Sequence, residues 1–448
     1  METNDIVAKD KKYVWHPFTQ MKDYETDSPL IIDRGEGIYI WDIQGNKYID
    51  AISSWWVNTL GHSRPRLNEA LKQQLEKIEH VLLAGFSHVP AIELAEKLIK
   101  LMPDNLTRVF YSDNGSTAVE VALKMAYQYC QQSGKIKKTK FVALKNSYHG
   151  DTIGAVSVGG IDVYHKIYKP MLFDIHQAES PYCYRCLFEK EKNACNIECL
   201  SSVEEIFKKY SDEIAGIIVE PLAQAAAGMI IYPAEYLKKL RKLCDEYDVL
   251  LIDDEVAMGF GRTGKMFAFE HAGIAPDLVC LAKGLTAGYL PMAVTIASEK
   301  IYQAFYDDYD KLKTFFHGHS FTGNPLAASV AVENLKIFED EKIIESIQPK
   351  IKVLGENLQK FKEFDCVGDI RHIGMIGAVE IVKNKTTKEQ YEFKDRIGSK
   401  IYREALNNGA VLRPLGSVVY FMPPYVITEE EIEHMIDIGV KSLKNALY

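Results

Sequence analysis

The sequence lacks a long uninterrupted apolar run, which argues against a membrane-spanning helix. Its most apolar long stretch, residues 215–232, is interrupted by Glu220 and Gln224 and falls short of the roughly 20 residues that a helix needs to cross a bilayer. The first residues, METNDIVAKDKK, are polar and charged, so they lack the apolar core of a secretion signal. The sequence therefore predicts a cytoplasmic protein that does not bind a membrane.

An excess of positive charge is also missing, as is any low-complexity tract. The chain has 53 Lys and Arg against 62 Asp and Glu, a formal net charge of −9. A nucleic-acid partner would require clustered basic residues, and the basic run KIKKTK is better explained as a solvated loop. With 448 residues, 47% of them apolar and 26% charged, the composition indicates a globular protein of about two or three domains.

Cysteine is sparse outside one segment. The chain has eight cysteines, too few for a disulfide scaffold at this length, and four of them lie apart among apolar neighbours. The others follow a CxxC and then a CxxxC pattern, close to the spacing of a tetrathiolate zinc site. They are Cys183, Cys186, Cys195 and Cys199. Reduced thiols on an irregular surface excursion explain the same pattern, and both interpretations stay open.

No internal repeat is present, and apolar strands alternate with helical patterns from about residue 91 to about residue 331. That alternation is typical of a parallel α/β core. The predicted strands span residues 109–111, 141–144, 214–220, 249–253, 278–281 and 291–297.

The two ends of the chain differ from this core. Residues 37–42 and 47–50 predict a short hairpin around the Gly45-Asn46 turn, and the last third predicts a smaller α+β domain. We therefore expect a large α/β domain over residues 61–335 and a small domain over residues 336–448, which the segment 1–60 joins.

An acidic residue and a lysine follow two of the predicted strands. Asp254 comes after strand 249–253 and Lys283 after strand 278–281, where parallel sheets place their ligands. A carboxylate that pairs with a pyridinium nitrogen and a lysine that forms a Schiff base are what pyridoxal phosphate (PLP) requires. Singly, each is more often structural, as a helix cap or a solvated cation.

A helix start and an aromatic residue are further candidates. In DNGSTAVEVALKMA, Asn114 and Gly115 open a helix whose unpaired amides can bind phosphate, although a plain N-cap explains them equally. Tyr148 in SYHGDT can stack on a flat cofactor or pack at a strand end. Val256 lies on the same side of its strand as Asp254 and can pack under a ring. Glu220 ends the IIVE strand, as a site carboxylate or a salt-bridge partner.

Two later segments carry polar groups that could bind ligands. FFHGHSFTGNP, which contains Gly318, His319 and Ser320, offers backbone donors for a phosphate, or a simple turn. Arg413 in LRPLGSVVYFMPPY can clamp a substrate carboxylate through two of its guanidinium nitrogens.

Together these motifs resemble a known family, the fold-type I, class III PLP-dependent aminotransferases. DNGSTAVEVALKMA, SYHGDT, DDEVAMGFGRTG, LAKGLTAGYLP and FHGHSFTGNP occur in the family's order across essentially the whole chain. The resemblance implies an α/β fold with a large, mostly parallel sheet and a smaller α+β domain. It also implies a homodimer with a shared active site, small-molecule substrates, and PLP as the cofactor.

The resemblance also implies roles for individual residues. Lys283 would carry the cofactor covalently, Asp254 would pair with its pyridinium nitrogen, and Tyr148 would stack on its ring. The remaining cofactor-binding residues would be Asn114, Gly115, Glu220, Val256, His319 and Ser320, with Ser320 reaching in from the partner subunit. The substrate would contact Tyr148, Lys283 and a further set comprising Phe18, Trp55, Trp56, Arg262, Gly318 and Arg413.

Within the class, WHPFTQM, SSWW and RPLG…YFMPPY resemble the diaminononanoate synthases of biotin synthesis rather than ornithine or 4-aminobutyrate aminotransferases. This implies conversion of 8-amino-7-oxononanoate to 7,8-diaminononanoate. Better-known members have tyrosine at the position of Phe18, and they also differ at Met258 and at His319-Ser320. Since a hydroxyl is missing near the amino donor, L-lysine stays open beside S-adenosylmethionine.

Other interpretations belong to different classes. The same PLP site could serve another class III omega-aminotransferase, an aminomutase or a decarboxylase. A zinc-stabilised binding protein without catalysis would instead rest on the four clustered cysteines. The intact pair of Asp254 and Lys283 argues against that last option.

Overall fold

The computed structural model describes residues 3–191 and 194–448. In chain order, the strands are β1 (Ile32–Glu36), β2 (Tyr39–Asp42), β3 (Lys47–Asp50), β4 (Leu106–Ser112), β5 (Lys140–Leu144), β6 (His176–Ala178), β7 (Ile214–Val219), β8 (Ala223–Gln224), β9 (Ile230–Ile231), β10 (Leu250–Asp254), β11 (Leu278–Leu281), β12 (Ala293–Ser298), β13 (Val367–Ile373), β14 (Ile376–Ile381), β15 (Ala410–Val411) and β16 (Val418–Phe421).

Helices cover and connect these strands. The longer ones are Thr3–Tyr13, Pro65–Leu75, Val89–Lys100, Gly115–Gln132, Ser201–Tyr210, Ala234–Glu246, Pro325–Asp340, Gln348–Asn357, Ile397–Asn407 and Glu429–Leu447. Among the described residues, no helix combines the length and the apolar character needed to cross a membrane.

The central sheet has seven strands in the order β4-β12-β11-β10-β7-β5-β6. All neighbours pair in parallel except β12, which runs antiparallel to both β11 and β4. The predicted mostly parallel sheet is confirmed. The strand predicted at residues 291–297 is the exception, since it forms the antiparallel β12. A continuous apolar run indicates that a strand is buried but carries no information about its direction.

The helix Gly115–Gln132 packs on this sheet through a face of small apolar side chains. Ala118, Val121, Ala122 and Ala126 are completely buried. Small side chains at helical spacing let the helix approach the strands closely, and the carbonyl of Ala118 accepts a hydrogen bond from Thr295 Oγ1 in β12 at 2.8 Å. This close packing fixes the helix start beside the carboxyl ends of the parallel strands.

The N-terminal hairpin is confirmed and joins the end of the chain. Strands β2 and β3 pair antiparallel, and β3 pairs in parallel with β15. Asp42 shapes the connecting turn because its carboxylate accepts hydrogen bonds from the backbone N–H groups of Gln44 and Asn46, each at 2.9 Å. A separate antiparallel sheet, β13-β14-β16, belongs to the last third of the chain.

Candidate active site

A cavity of about 610 Å³ opens at the carboxyl ends of β5, β7, β10 and β11, beside the start of the helix Gly115–Gln132. Many of the residues singled out in the sequence line it: Trp56, Asn114, Gly115, Tyr148, Glu220, Asp254, Val256 and Lys283. Because neighbouring parallel strands end at one edge of the sheet, residues distant in sequence meet there.

Asp254 is held by a buried histidine. Its Oδ2 lies 2.6 Å from Nδ1 of His149, and its Oδ1 accepts the backbone N–H of Val256 at 3.1 Å. A carboxylate only accepts, so the His149 ring donates through Nδ1. Both side chains are nearly inaccessible, at 0% and 5% exposure. The pair places a fixed, hydrogen-bonded carboxylate at the cavity wall.

Lys283 follows β11, the neighbour of β10, in a left-handed backbone conformation with φ 46°. In the register of the two strands, Asp254 aligns with Cys280, so Lys283 lies just beyond the sheet edge on the same side of the molecule. Its Nζ is 4.7 Å from the centre of the Trp56 ring. Desolvation lowers the pKa of Lys283 to about 8, although Asp254 and Glu220 act in the opposite direction.

Glu220 is a structural acceptor inside the site. Its oxygens accept the backbone N–H groups of Tyr148 and Ala225, each at 2.9 Å. Burial raises the pKa of Glu220 to about 7, and the nearby positive and hydrogen-bonding groups only partly offset that effect. Among the residues that the structure describes, no arginine forms a salt bridge with Glu220, the alternative considered from the sequence, and its two bonds here go to backbone N–H groups.

Tyr148 presents its ring to the cavity from the loop after β5. Its hydroxyl donates to Oδ2 of Asp151 at 2.7 Å, and its ring lies nearly parallel to that of His165, with centroids 6.3 Å apart. Burial is the main reason that its pKa is raised above the ordinary value for tyrosine. The phenol therefore stays neutral. Its orientation is fixed by the hydrogen bond to Asp151 and by the neighbouring ring of His165.

The helix start at residues 114–116 forms one end of the cavity. The side chain of Asn114 caps the helix by accepting the N–H of Thr117 at 3.1 Å, which leaves the amides of Gly115 and Ser116 as the first ones of the helix. A Cβ added to Gly115 would lie 2.6 Å from Cγ1 of Val256. Ser116 Oγ is 2.7 Å from Thr152 Oγ1, so hydroxyls flank the exposed amides.

A left-handed turn carries the two tryptophans. Ser53, Ser54, Trp55 and Trp56 have φ values of 50°, 46°, 70° and 71°, a conformation that costs non-glycine residues about 1–2 kcal/mol each. The Trp55 ring lies 4.0 Å from the guanidinium carbon of Arg413. Trp56 Nε1 donates to the hydroxyl of Tyr420 at 3.1 Å.

Phe18 joins this aromatic group. Its ring contacts those of Trp55 and Tyr164 edge to face, with centroid distances of 5.5 Å in both cases. Phe18, Trp55 and Arg413 lie outside the cavity lining, and the turn connects them to Trp56, which belongs to it.

The structure places Arg262 outside the cavity lining. Its guanidinium is buried and donates to the backbone carbonyls of Pro423 at 2.7 Å and Asn58 at 3.1 Å. Burial lowers its pKa. These contacts connect two stretches of backbone, and they give no support to the direct substrate contact expected from the resemblance.

Gly318, His319 and Ser320 also lie outside the cavity lining of this chain. Nδ1 of His319 is 2.9 Å from Oδ2 of Asp113, which does line the cavity. Gly318 and Ser320 are exposed, so the segment borders the site without entering it.

The four clustered cysteines surround a separate small cavity of about 30 Å³. Burial, together with Cys183, Cys186 and Cys195, raises the pKa of the Cys199 thiol to about 12. Over residues 3–191 and 194–448, no group of three or more His, Cys, Asp or Glu side chains is arranged to hold a metal ion. The geometry thus gives the zinc interpretation no support.

Sequence reasoning missed several residues of the cavity. Asp113, Ser116, Asp151 and Thr152 line it. His149 was singled out beside Tyr148, as a functional residue or as a histidine with a satisfied hydrogen bond, but its bond to Asp254 was not predicted. The position of His149 directly after Tyr148 was the available signal. Its partner could not be identified because Asp254 lies more than a hundred residues further along the chain.

Comparison with known proteins agrees with this geometry. The family model for class III aminotransferases matches residues 21–443. The chain belongs to the class III aminotransferases. This family depends on PLP, and the fold-type I resemblance is confirmed.

Its relatives cover the chain almost completely. It is 48% identical to the adenosylmethionine-8-amino-7-oxononanoate aminotransferase of Geobacter sulfurreducens, over 99% of this chain and 98% of the relative. A crystal structure of the enzyme of the same name from Methanocaldococcus jannaschii has a TM-score of 0.95 at 44% identity and covers 100% of both chains. The omega transaminase of Pseudomonas jessenii in complex with PMP has a TM-score of 0.94 at 34% identity and covers 98% of both chains.

Proposed function

We propose that this aminotransferase converts 8-amino-7-oxononanoate to 7,8-diaminononanoate, with PLP as its cofactor and S-adenosylmethionine as amino donor. One observation carries the proposal: Lys283, whose pKa is lowered to about 8, and Asp254, held by His149 at 2.6 Å, line the same cavity. The names of relatives at 46–48% identity support the choice of substrates.

The residues of the cavity fit PLP. The amides of Gly115 and Ser116 at the helix start suit a phosphate, and Gly115 lies where a Cβ would collide with Val256. Across the cavity, Asp254 offers a carboxylate to a pyridinium nitrogen. Among the described residues, Nε2 of His149 is buried without a hydrogen-bond partner, so the histidine is committed to Asp254 through its other nitrogen.

When bound, the cofactor supplies an electron sink that stabilises negative charge on the carbon beside the reacting nitrogen. Lys283 supplies the proton transfer at its Nζ. A pKa near 8 leaves a substantial neutral fraction at physiological pH, whereas an ordinary lysine is almost wholly protonated there. Its position against Trp56 keeps bulk water from one side of Nζ.

In the proposed function, the substrate would be bound by Arg413, Trp55 and Phe18. Arg413 would bind the carboxylate of 8-amino-7-oxononanoate, since guanidinium pairs with carboxylates through two parallel hydrogen bonds. The ring of Trp55 lies 4.0 Å from the guanidinium carbon of Arg413 and, with Phe18, would offer an apolar surface to the hydrocarbon chain. Trp56 extends that surface to Lys283.

A homodimer with shared sites is part of the proposal. Phe316 and Phe321 flank the segment of Gly318, His319 and Ser320, and they are 74% and 62% exposed. Apolar rings this exposed are typical of surfaces that a partner subunit covers. We propose that this segment completes the site of the partner subunit, with Ser320 contacting the cofactor phosphate. The cytoplasmic location stays a prediction.

The amino donor is the part of the proposed function for which there are two candidates. Phe18 carries no hydroxyl and packs against Trp55 and Tyr164, so it offers no polar contact to the amino acid group of a donor. L-lysine therefore stays a second candidate donor beside S-adenosylmethionine.

A product assay tests the proposed function. Holoenzyme is incubated with 8-amino-7-oxononanoate and either S-adenosylmethionine or L-lysine, and diaminononanoate is measured by mass spectrometry. We expect product with S-adenosylmethionine and none with Lys283→Ala. Product with L-lysine but not with S-adenosylmethionine would identify L-lysine as the donor. Product with neither would refute the assigned reaction.

A further inference from the structure

The left-handed turn Ser53–Trp56 requires an explanation because it contains no glycine. Side chains beyond glycine disfavour positive φ, and four such residues in succession persist only where surrounding contacts hold them. The turn delivers Trp55 to Arg413 and Trp56 to Lys283. Whatever holds the turn therefore also controls the substrate side of the cavity.

Asp50, the last residue of β3, holds the middle of the turn. Its Oδ1 accepts the backbone N–H of Ser54 at 2.9 Å, and its Oδ2 accepts the Ser54 hydroxyl at 2.7 Å. On its other side, Oδ2 lies 3.0 Å from Nε2 of His62. The carboxylate is nearly inaccessible, at 1% exposure, so these bonds are not weakened by water.

The charge state of Asp50 suits this task. Burial acts to raise its pKa, but the hydrogen bonds from His62 and Ser54 outweigh burial, and the pKa is below the ordinary value. The group is therefore ionised at neutral pH and accepts hydrogen bonds with both oxygens. The ends of the turn are held separately, for example by Ser53 Oγ, which donates to the carbonyl of Met422 at 2.6 Å.

We propose that Asp50, supported by His62, is a positioning residue that fixes the left-handed turn and thereby sets where Trp55 and Trp56 meet the substrate. The inference deepens the proposed function and rests on it for the identity of the substrate. Asp50 lies outside the cavity lining, and it acts through the backbone and hydroxyl of Ser54.

Asp50→Asn tests the inference, with Asp42→Asn as a matched control. Asparagine has an NH2 group in place of one oxygen, so the negative charge and one of the two acceptors that hold Ser54 and His62 are lost. Asp42 belongs to the same hairpin, is buried, and holds the backbone of Gln44 and Asn46 by the same kind of bond. A purely structural role would make the two variants behave alike.

In the holoenzyme we expect Asp50→Asn to raise KM for 8-amino-7-oxononanoate about tenfold or more, the change that loss of one charged hydrogen bond brings. The absorption band of bound cofactor should be retained. Adding Ser54→Gly should partly restore KM, because glycine adopts positive φ without strain. Asp42→Asn should leave KM unchanged. Equal KM values in Asp50→Asn and Asp42→Asn would overturn the inference.

A second readout is independent of the substrate. The four tryptophans can be labelled with 5-fluorotryptophan and assigned by single Trp→Phe substitutions. We expect the resonances of Trp55 and Trp56 to shift or broaden in Asp50→Asn and to keep their positions in Asp42→Asn. Unmoved resonances would refute the role of Asp50, whereas an inactive wild-type enzyme would refute only the proposed reaction.

Should Asp50→Asn fail to fold, His62→Leu replaces it in both measurements. This variant leaves the carboxylate in place but removes the donor on its far side. The same split between a raised KM and a retained cofactor band is expected, and an unchanged KM together with unmoved resonances would again refute the proposal.

Discussion

At the scale of single residues, the site depends on how each charge is solvated. Lys283 has a lowered pKa because its surroundings desolvate it. Glu220, with backbone donors and no cation bonded to it, has a raised pKa. Asp50 and Asp254 are instead held by histidines that donate to them. Similar side chains thus have different roles because their neighbours differ.

The pKa of Lys283 leads to a prediction about cofactor capture. Only a neutral amine attacks the aldehyde of PLP, so the rate at which apoenzyme captures PLP should rise with pH and level off above about 8. An ordinary lysine would continue to gain up to its pKa near 10.4. Stopped-flow absorbance measures the rate in steps of about one pH unit from about pH 6 to about pH 11.5, a range that includes the pKa of the reference amine, N-acetyl-lysine. If the rate for the apoenzyme levelled off at the same pH as the rate for N-acetyl-lysine, the lowered pKa of Lys283 would be contradicted.

Residue identities alone predicted part of this site. Asp254 and Lys283 were identified because a polar residue after a buried strand is visible in the sequence. Asp50 was not, since its role depends on a left-handed turn that no composition or periodicity reveals. Arg262 was expected at the substrate, but its guanidinium binds two backbone carbonyls, and a sequence motif does not show which way a side chain points.

At the scale of elements, the site is built where a helix start meets strand ends. The helix Gly115–Gln132 can approach β10 because Gly115 has no side chain at its contact with Val256. Six of the seven strands of the central sheet followed from apolar runs, whereas β6 did not, because it has only three residues and one of them is buried. The reversed direction of β12 did not, because direction depends on the connection between strands rather than on their composition.

Gly115→Ala should weaken PLP binding. The new Cβ would lie 2.6 Å from Cγ1 of Val256, so the helix start must move and its amides with it. We expect the dissociation constant for PLP, measured by fluorescence titration of apoenzyme, to rise about tenfold, a cost on the order of 1.4 kcal/mol.

The double variant Gly115→Ala/Val256→Ala is the control. Removing both Cγ atoms relieves the collision, so it should recover most of the lost affinity. Equal affinities of Gly115→Ala and wild type would show that the close contact is not needed for cofactor binding.

At the scale of the whole molecule, distant parts of the chain meet around one cavity. The N-terminal hairpin pairs with β15, which precedes Arg413, and the turn after β3 carries Trp55 and Trp56. This arrangement supports the proposed grouping of residues 1–60 with the small domain, and that grouping stays a prediction. The sequence showed the separate patterns, but pairing between residues more than 350 positions apart could not be derived from them.

The proposed homodimer predicts complementation between two inactive variants. Lys283→Ala removes the catalytic lysine, and Ser320→Asp places a negative charge where the partner subunit's phosphate is proposed to bind. In a statistical mixture of exchanged subunits, about one quarter of the sites would be intact. We expect activity near that fraction, measured by diaminononanoate production.

Subunit exchange is verified separately with two affinity tags. Recovery of activity after exchange would support shared sites. Verified heterodimers without recovered activity would show that Ser320 acts within its own subunit.

The central claim is that Lys283 binds the cofactor covalently in the cavity whose wall includes Asp254. The most direct measurement is reduction of holoenzyme with sodium borohydride, followed by mass spectrometry of its peptides. We predict a pyridoxyl group on Lys283 and on no other lysine. A label on a different lysine, or no label after saturation with PLP, would contradict the account.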